Sequence, residues 1–276
     1  FVRPGDEVLV FEPVYDSYVP AIETVGGKAV FAQLSFPDYV PDWAQVRGLI
    51  SERTRMIIVN SPHNPSGSLL TAADLDKLAE LVRGTDIVIL SDEVYEHILF
   101  DGERHASLCG HPELAKRSIV VSSFGKTYHI TGWKIGYVVG PGALMAEFRK
   151  VHQFNVFTVH APSQLAIAEY MQDASRHLGL AAFYQEKRNV FRQLMAATPF
   201  ELLPCRGTYF QLARYDRISD LPDRAFAEWL TREVGVAVIP VSVFYADGRD
   251  DKVVRFCFAK REETLKAAAE RLCKAL

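Results

Sequence analysis

Two runs of four apolar residues with no polar break, Met56-Ile57-Ile58-Val59 and Ile87-Val88-Ile89-Leu90, constrain the fold of this chain more than any other feature. A strand that is apolar on both faces must be covered on both faces, and a sheet lying between helices does this. Further short β-rich runs, at 8–11, 28–34, 119–123 and 135–139, join these two (taken as 56–60 and 87–91) to make six predicted strands. Helical patterns lie between them. The clearest is 72–82, where Leu75, Leu78, Ala79 and Val82 recur at helical spacing, Thr71 is placed to cap the start, and Gly84 follows the end. Strand and helix in alternation predict an α/β fold with a mainly parallel sheet, whose ligands belong beyond the carboxyl ends of the strands.

After Gly142 the texture changes. Helices dominate 143–197, with 183–195 as one long segment. Strands at 201–203, 209–212, 236–239 and 253–258 then mix with helices at 224–233 and 262–276. This predicts a large α/β domain over 1–186 and a smaller α+β domain over 187–276, the boundary falling inside the long helix.

Composition removes several classes of function. The 276 residues carry 31 Lys or Arg against 34 Asp or Glu, a formal charge of −3, so the basic surplus of a nucleic-acid module is missing. No apolar run approaches the ~18 residues of a membrane span. Cys109, Cys205, Cys257 and Cys273 are scattered without a CxxC pair, which predicts neither a disulfide framework nor a zinc site and points to a reducing compartment, the cytoplasm. The eight histidines show no close pair on one helical face with a carboxylate, so no metal site is expected. Lys187-Arg188 reads as a charged helix face. The chain opens Phe1-Val2-Arg3-Pro4-Gly5-Asp6, a turn leading into a strand with no secretory signal. It reads as a chain whose natural beginning is absent.

Three polar segments follow predicted strands: Asn60-Ser61-Pro62-His63-Asn64-Pro65-Ser66-Gly67, Ser91-Asp92-Glu93-Val94-Tyr95, and Ser122-Ser123-Phe124-Gly125-Lys126-Thr127. Each has an ordinary reading taken alone, as a turn, a helix cap or a solvated lysine. Gly125-Lys126-Thr127 resembles a phosphate loop, but that pattern needs Gly five residues before the Gly-Lys pair, where Val120 stands. No Gly-x-Gly-x-x-Gly follows a strand, so a dinucleotide site is unsupported. Together with Tyr15, Lys134 and Arg255 elsewhere in the chain, however, the segments supply what a pyridoxal phosphate enzyme requires: a lysine for a Schiff base, an acid for the pyridine nitrogen, donors to the ring oxygen and phosphate, a stacking aromatic, and a cation for the substrate carboxylate.

The chain resembles the fold-type I pyridoxal phosphate aminotransferases of class I/II. The resemblance rests on Pro13-Val14-Tyr15-Asp16-Ser17-Tyr18, His63-Asn64-Pro65-Ser66-Gly67, Ser91-Asp92-Glu93-Val94-Tyr95, Ser122-Ser123-Phe124-Gly125-Lys126-Thr127 and Val254-Arg255-Phe256-Cys257-Phe258-Ala259, in family order over nearly the whole length. It is nearest to the bacterial methionine and the kynurenine/glutamine aminotransferases, with Pro204-Cys205-Arg206-Gly207-Thr208-Tyr209-Phe210 among the supporting phrases.

The resemblance implies pyridoxal 5'-phosphate bound through a Schiff base to Lys126, with Asp92 holding the pyridine nitrogen protonated and Tyr95 and Asn64 on the ring oxygen. It implies Ser123 and Lys134 on the phosphate, Tyr15 stacked on the ring, and Arg255 on the substrate carboxylate. Phe157, with Tyr15 and Tyr18, suggests an apolar or aromatic side-chain pocket. No second Arg is assignable to a side-chain carboxylate, which favours methionine, glutamine or aromatic amino acids. The partners implied are an amino acid, a 2-oxo acid and a second copy of the chain in a homodimer. Family members carry a preceding segment with an arm, a glycine-containing phosphate loop and a Tyr reaching the neighbouring subunit; none of these is in this sequence. The alternatives are a pyridoxal phosphate C–S lyase and a non-catalytic fragment of the same fold.

Overall fold

The computed structural model describes residues 1–276. Seven strands form one sheet: β1 (Glu7–Glu12), β2 (Lys28–Ser35), β3 (Val40–Pro41), β4 (Thr54–Asn60), β5 (Val88–Asp92), β6 (Ser118–Ser123) and β7 (Gly136–Val139), in the order β3-β2-β1-β4-β5-β6-β7. β2, β1, β4, β5 and β6 run parallel to their neighbours, whereas β3 and β7 close the edges antiparallel. The chain leaves β1 towards β2 on one side and returns to β4 on the other. The strand order therefore reverses between β1 and β4, the place where open α/β sheets leave a crevice.

The unbroken apolar runs behave as their composition requires. Successive side chains point to opposite faces, so Val8, Val10, Met56, Ile58, Val88 and Ile119 enter one core. Leu9, Phe11, Ile57, Val59, Ile89 and Val120 enter the other. Helices cover both: α1 (Tyr18–Thr24), α2 (Trp43–Leu49) and α3 (Ala72–Val82) come from the first half. α3 occupies the predicted residues. Thr71 and Asp74 form a reciprocal capping box worth about 1 kcal/mol, and Leu75, Leu78, Ala79 and Val82 are buried.

β6 leads into the single turn α4 (Phe124–Thr127), followed by α5 (Gly142–Asn155), α6 (Ala161–Tyr170), α7 (Ser175–Leu178) and the long α8 (Leu180–Met195). α5 has no buried residue, and its end exposes Phe154 at 84%. The second sheet, in the order β10-β11-β9-β8, comprises β8 (Glu201–Leu202), β9 (Phe210–Arg214), β10 (Ile239–Pro240) and β11 (Val253–Cys257). α9 (Asp223–Trp229) and α10 (Glu262–Ala275) flank it.

Two expectations are modified here. The helix predicted over 224–233 is α only to Trp229 and continues as a π turn over Leu230–Val234, ending at Gly235 in the left-handed region, φ 73°. The strand predicted over 236–239 shrinks to Ile239–Pro240, because only these two residues reach β11.

The core of the second sheet also draws on the chain following β5. Tyr95, Ile98 and Phe100 pack with Leu180, Tyr184, Phe191 and Met195 of α8 and with Phe210 and Phe256. A bidentate ion pair from buried Arg188 to Asp101, at 2.6 and 2.7 Å, ties α8 to the same segment. These contacts join the two sheets, and a cleft lies between them. No helix is long and apolar enough to cross a membrane.

Candidate active site

A cleft of about 570 Å³ opens at the carboxyl ends of β4, β5 and β6. Asn64, Asp92, Tyr95, Ser123, Lys126 and Tyr15 line one wall; Phe210, Ile239, Val243, Phe244 and Arg255 line the other. Seven of the nine residues expected from the sequence thus meet in one place, although Tyr15 and Arg255 are 240 positions apart in the chain.

Asp92 ends β5 with both carboxylate oxygens engaged. The Tyr18 hydroxyl donates to Oδ2 at 2.6 Å, and the Val94 amide donates to Oδ1 at 3.1 Å. Burial raises its pKa above the ordinary carboxylate value, with the Tyr18 bond opposing the shift. A carboxylate in this position is short of positive charge, and a protonated ring nitrogen would supply it. Neighbouring Glu93 is the contrast: burial would raise its pKa, but bonds from His105 (2.7 Å) and the Leu108 amide (3.1 Å) prevail and leave it lowered. Glu93 anchors the segment, and Asp92 faces the cleft.

Lys126 lies on α4, where Nζ donates to the Tyr209 hydroxyl at 3.0 Å. Ser123 caps the same turn, its Oγ accepting from the Gly125 amide at 3.1 Å. The Tyr95 hydroxyl lies 3.4 Å from that of Tyr209, and burial followed by proximity to Tyr209 raises its pKa, so it is a neutral phenol.

The turn after β4 is braced internally. Asn60 Oδ1 accepts from the Asn64 amide at 2.8 Å, and its Nδ2 donates to the Asp92 carbonyl at 2.9 Å. Gly67 closes the turn at φ 75°, where a Cβ would stand 2.9 Å from the Gly207 carbonyl oxygen; only glycine allows this approach of the two loops. His63 within the turn is buried against Ser66 Oγ at 2.6 Å, and burial lowers its pKa to about 4.

Arg255 projects from β11. Its guanidinium carbon lies 4.0 Å from the ring centre of Phe210 and 5.1 Å from that of Phe244. One nitrogen donates to Asn64 Oδ1 at 2.5 Å. No acidic side chain is paired with it, so a charged fork faces the cleft without an anion. Tyr15, 38% exposed, packs edge-on against Tyr18 with ring centres 5.4 Å apart.

Two expected residues are not brought to the cleft. Lys134 is exposed in a left-handed turn, φ 55°, and Phe157 is 82% exposed at φ 62°. Tyr18, expected in the side-chain pocket, instead gives its hydroxyl to Asp92. Tyr209, which bonds Lys126, carries no local sequence signal that distinguishes it from a core tyrosine.

The donor set fits a pyridoxal phosphate: a primary amine, a half-buried carboxylate with no ion-pair partner, a neutral phenol and an amide converge on one cleft. The comparisons with known proteins agree. The model of the family "Aminotransferase class I and II" matches residues 1–272. Methionine aminotransferase of Escherichia coli strain K12 is 50% identical over 272 residues, which is 98% of this chain and 70% of that protein. Human kynurenine–oxoglutarate transaminase 1 is 33% identical over 307 residues, covering 99% of this chain and 72% of that one. Among solved structures, YbdL from Escherichia coli, identified as having a methionine aminotransferase function, superposes with a TM-score of 0.97 at 49% identity over 99% of this chain and 72% of its own. The chain belongs to the class I and II aminotransferases, pyridoxal-phosphate-dependent enzymes of fold type I that transaminate amino acids.

Proposed function

We propose that this chain transaminates amino acids with neutral, apolar side chains, methionine and aromatic amino acids above others. The observation that carries the reading is the cleft's charge distribution: its only cationic side chains are Lys126 and Arg255. Lys126 is committed to the cofactor and Arg255 to the α-carboxylate, so an acidic substrate side chain finds no partner among Phe210, Ile239, Val243, Phe244 and Tyr15. The name of the E. coli relative points the same way, as does kynurenine in the name of the human one.

Bound pyridoxal phosphate supplies an electron sink that makes the substrate's α-proton removable. The chain does the rest. Asp92 would hold the ring nitrogen and keep it protonated, Tyr95 and Asn64 would donate to the ring oxygen, and Tyr15 would cover a ring face. Ser123 would hold the phosphate; Lys134, which lies outside the cleft, is not needed for this reading. The Arg255 fork fixes the carboxylate and thereby orients the Cα–H bond towards Lys126, whose Nζ accepts the proton and later returns it.

The assembly we propose is a homodimer. Val151, Phe154, Phe157 and Leu165, on α5, the turn after it and α6, are 61%, 84%, 82% and 72% exposed, large apolar side chains that a partner subunit would cover. Phe157 would reach a substrate pocket only across such an interface.

A panel of amino donors tests the reading, with 2-oxo acid formation as the readout. Methionine and aromatic donors should exceed aspartate by at least about tenfold in kcat/KM, the scale set by an unpaired buried charge. Preference for aspartate, or release of ammonia and pyruvate in place of the oxo acid, would overturn it.

A further inference from the structure

The Lys126 amine has one hydrogen-bond partner in the protein, the Tyr209 hydroxyl at 3.0 Å. Tyr209 stands behind the cleft wall, packed against Tyr95, Tyr184 and Phe210 at ring-centre distances of 5.3, 5.7 and 4.6 Å. Its backbone is set by an unusual residue. Thr208 is fully buried and sits at φ 66°, a region that a β-branched side chain rarely enters. The strain is held from several directions. The Thr208 amide donates to the Ile98 carbonyl at 3.0 Å, and its hydroxyl accepts from the Phe210 amide at 3.2 Å. At Gly207 an added Cβ would lie 2.8 Å from Pro62. The consequence is directional: Tyr209 is aimed at Lys126, and Phe210, the next residue, at Arg255. Strain maintained at such a place points to function.

We propose that Tyr209 is a catalytic residue, the one that holds the Lys126 amine over the cleft whenever that amine is not bonded to the cofactor. The inference rests on the reading of Lys126 given above. A lysine released into an open cleft has four side-chain torsions to explore and much entropy to gain by leaving. A phenol can restrain it through the whole cycle because a hydroxyl both accepts and donates. It accepts from the ammonium and, rotated, donates to the neutral amine. The restraint therefore survives as Nζ gains and loses a proton, while Tyr209 itself undergoes no net proton change. A carboxylate there would fix the charged form, and an apolar residue would hold neither.

Tyr209→Phe tests this with the ring packing retained. In the cofactor-free protein at alkaline pH, trace acetylation of Lys126, read against exposed Lys116, should become about three- to tenfold faster, since the nitrogen lone pair loses its donor. In the holoenzyme, kcat should fall about tenfold with KM for the amino acid held within about twofold, and the α-deuterium isotope effect should rise. A structural lesion would not produce that combination. Unchanged acetylation at Lys126, or an unchanged isotope effect, would overturn the proposal. Lys126→Ala, run alongside, separates the two levels: if that variant still forms the cofactor's aldehyde–amine absorbance, the reading of Lys126 fails as well. If it does not, and Tyr209→Phe behaves as wild type, only the role of Tyr209 is lost.

Discussion

Removing the Arg255 side chain should be costly to substrate binding and cheap to folding, and the structure says why. The guanidinium is held between Phe210 and Phe244, donates once to Asn64, and has no anionic partner. A carboxylate entering its fork makes two charge-assisted hydrogen bonds of about 1.5–3 kcal/mol each, or about 3–6 kcal/mol together. At 1.36 kcal/mol per factor of ten, Arg255→Ala should lower kcat/KM by about 10²–10⁴. Because the carboxylate is gripped before and during reaction alike, the loss should fall mainly on KM. Arg255→Lys keeps the charge but not the planar fork and should recover only part of it. No buried anion is stranded by either change, so for Arg255→Ala folding loses the stacking on two rings, about 1–2 kcal/mol, and the bond to Asn64, about 1 kcal/mol more. Steady-state kinetics on the two variants, with thermal melts beside them, decide the matter. A kcat/KM for Arg255→Ala within about threefold of wild type would remove Arg255 from the substrate site.

The pH dependence offers two further tests. Burial raises the Asp92 pKa and the Tyr18 bond holds it down. Cofactor affinity, complete while Asp92 is ionised, is lost as pH falls through that pKa. Tyr18→Phe removes the opposing bond and should move this acid limb up by about one unit, the equivalent of one hydrogen bond; titration of cofactor binding by absorbance would count against the assignment if the limb stayed or moved down. His63 is depressed to about 4 by burial. Its contribution to stability is complete above the unfolded value near 6.5 and is lost as pH falls towards 4, about 3 kcal/mol in all. Urea melts of His63→Gln should therefore show a flatter decline across that window, and equal slopes in both proteins would contradict the burial argument.

Much of this was legible because it is local. Met56-Ile57-Ile58-Val59 announces a doubly covered strand from composition alone, and Thr71, Asp74 and Gly84 mark both ends of α3. The segments after β4, β5 and β6 follow from the rule that parallel strands present their carboxyl ends to ligands. What stayed hidden depends on contacts between distant parts of the chain. Tyr209 is separated from Lys126 by 83 positions, and its orientation depends on the backbone of Thr208, a residue whose left-handed conformation its own chemistry argues against. The hydroxyl of Tyr18 meets Asp92 across 74 positions. The shortening of the strand expected at 236–239 is likewise a matter of which residues a partner reaches, not of propensity.

Activity turns on one amine, Lys126, and one carboxylate, Asp92, in the same cleft. Borohydride reduction of the protein equilibrated with pyridoxal 5'-phosphate, followed by peptide mapping, should place a stable pyridoxyl group on Lys126 and on no other lysine, with the label absent from Lys126→Ala. Label at another position, or none in the wild-type protein, would contradict it.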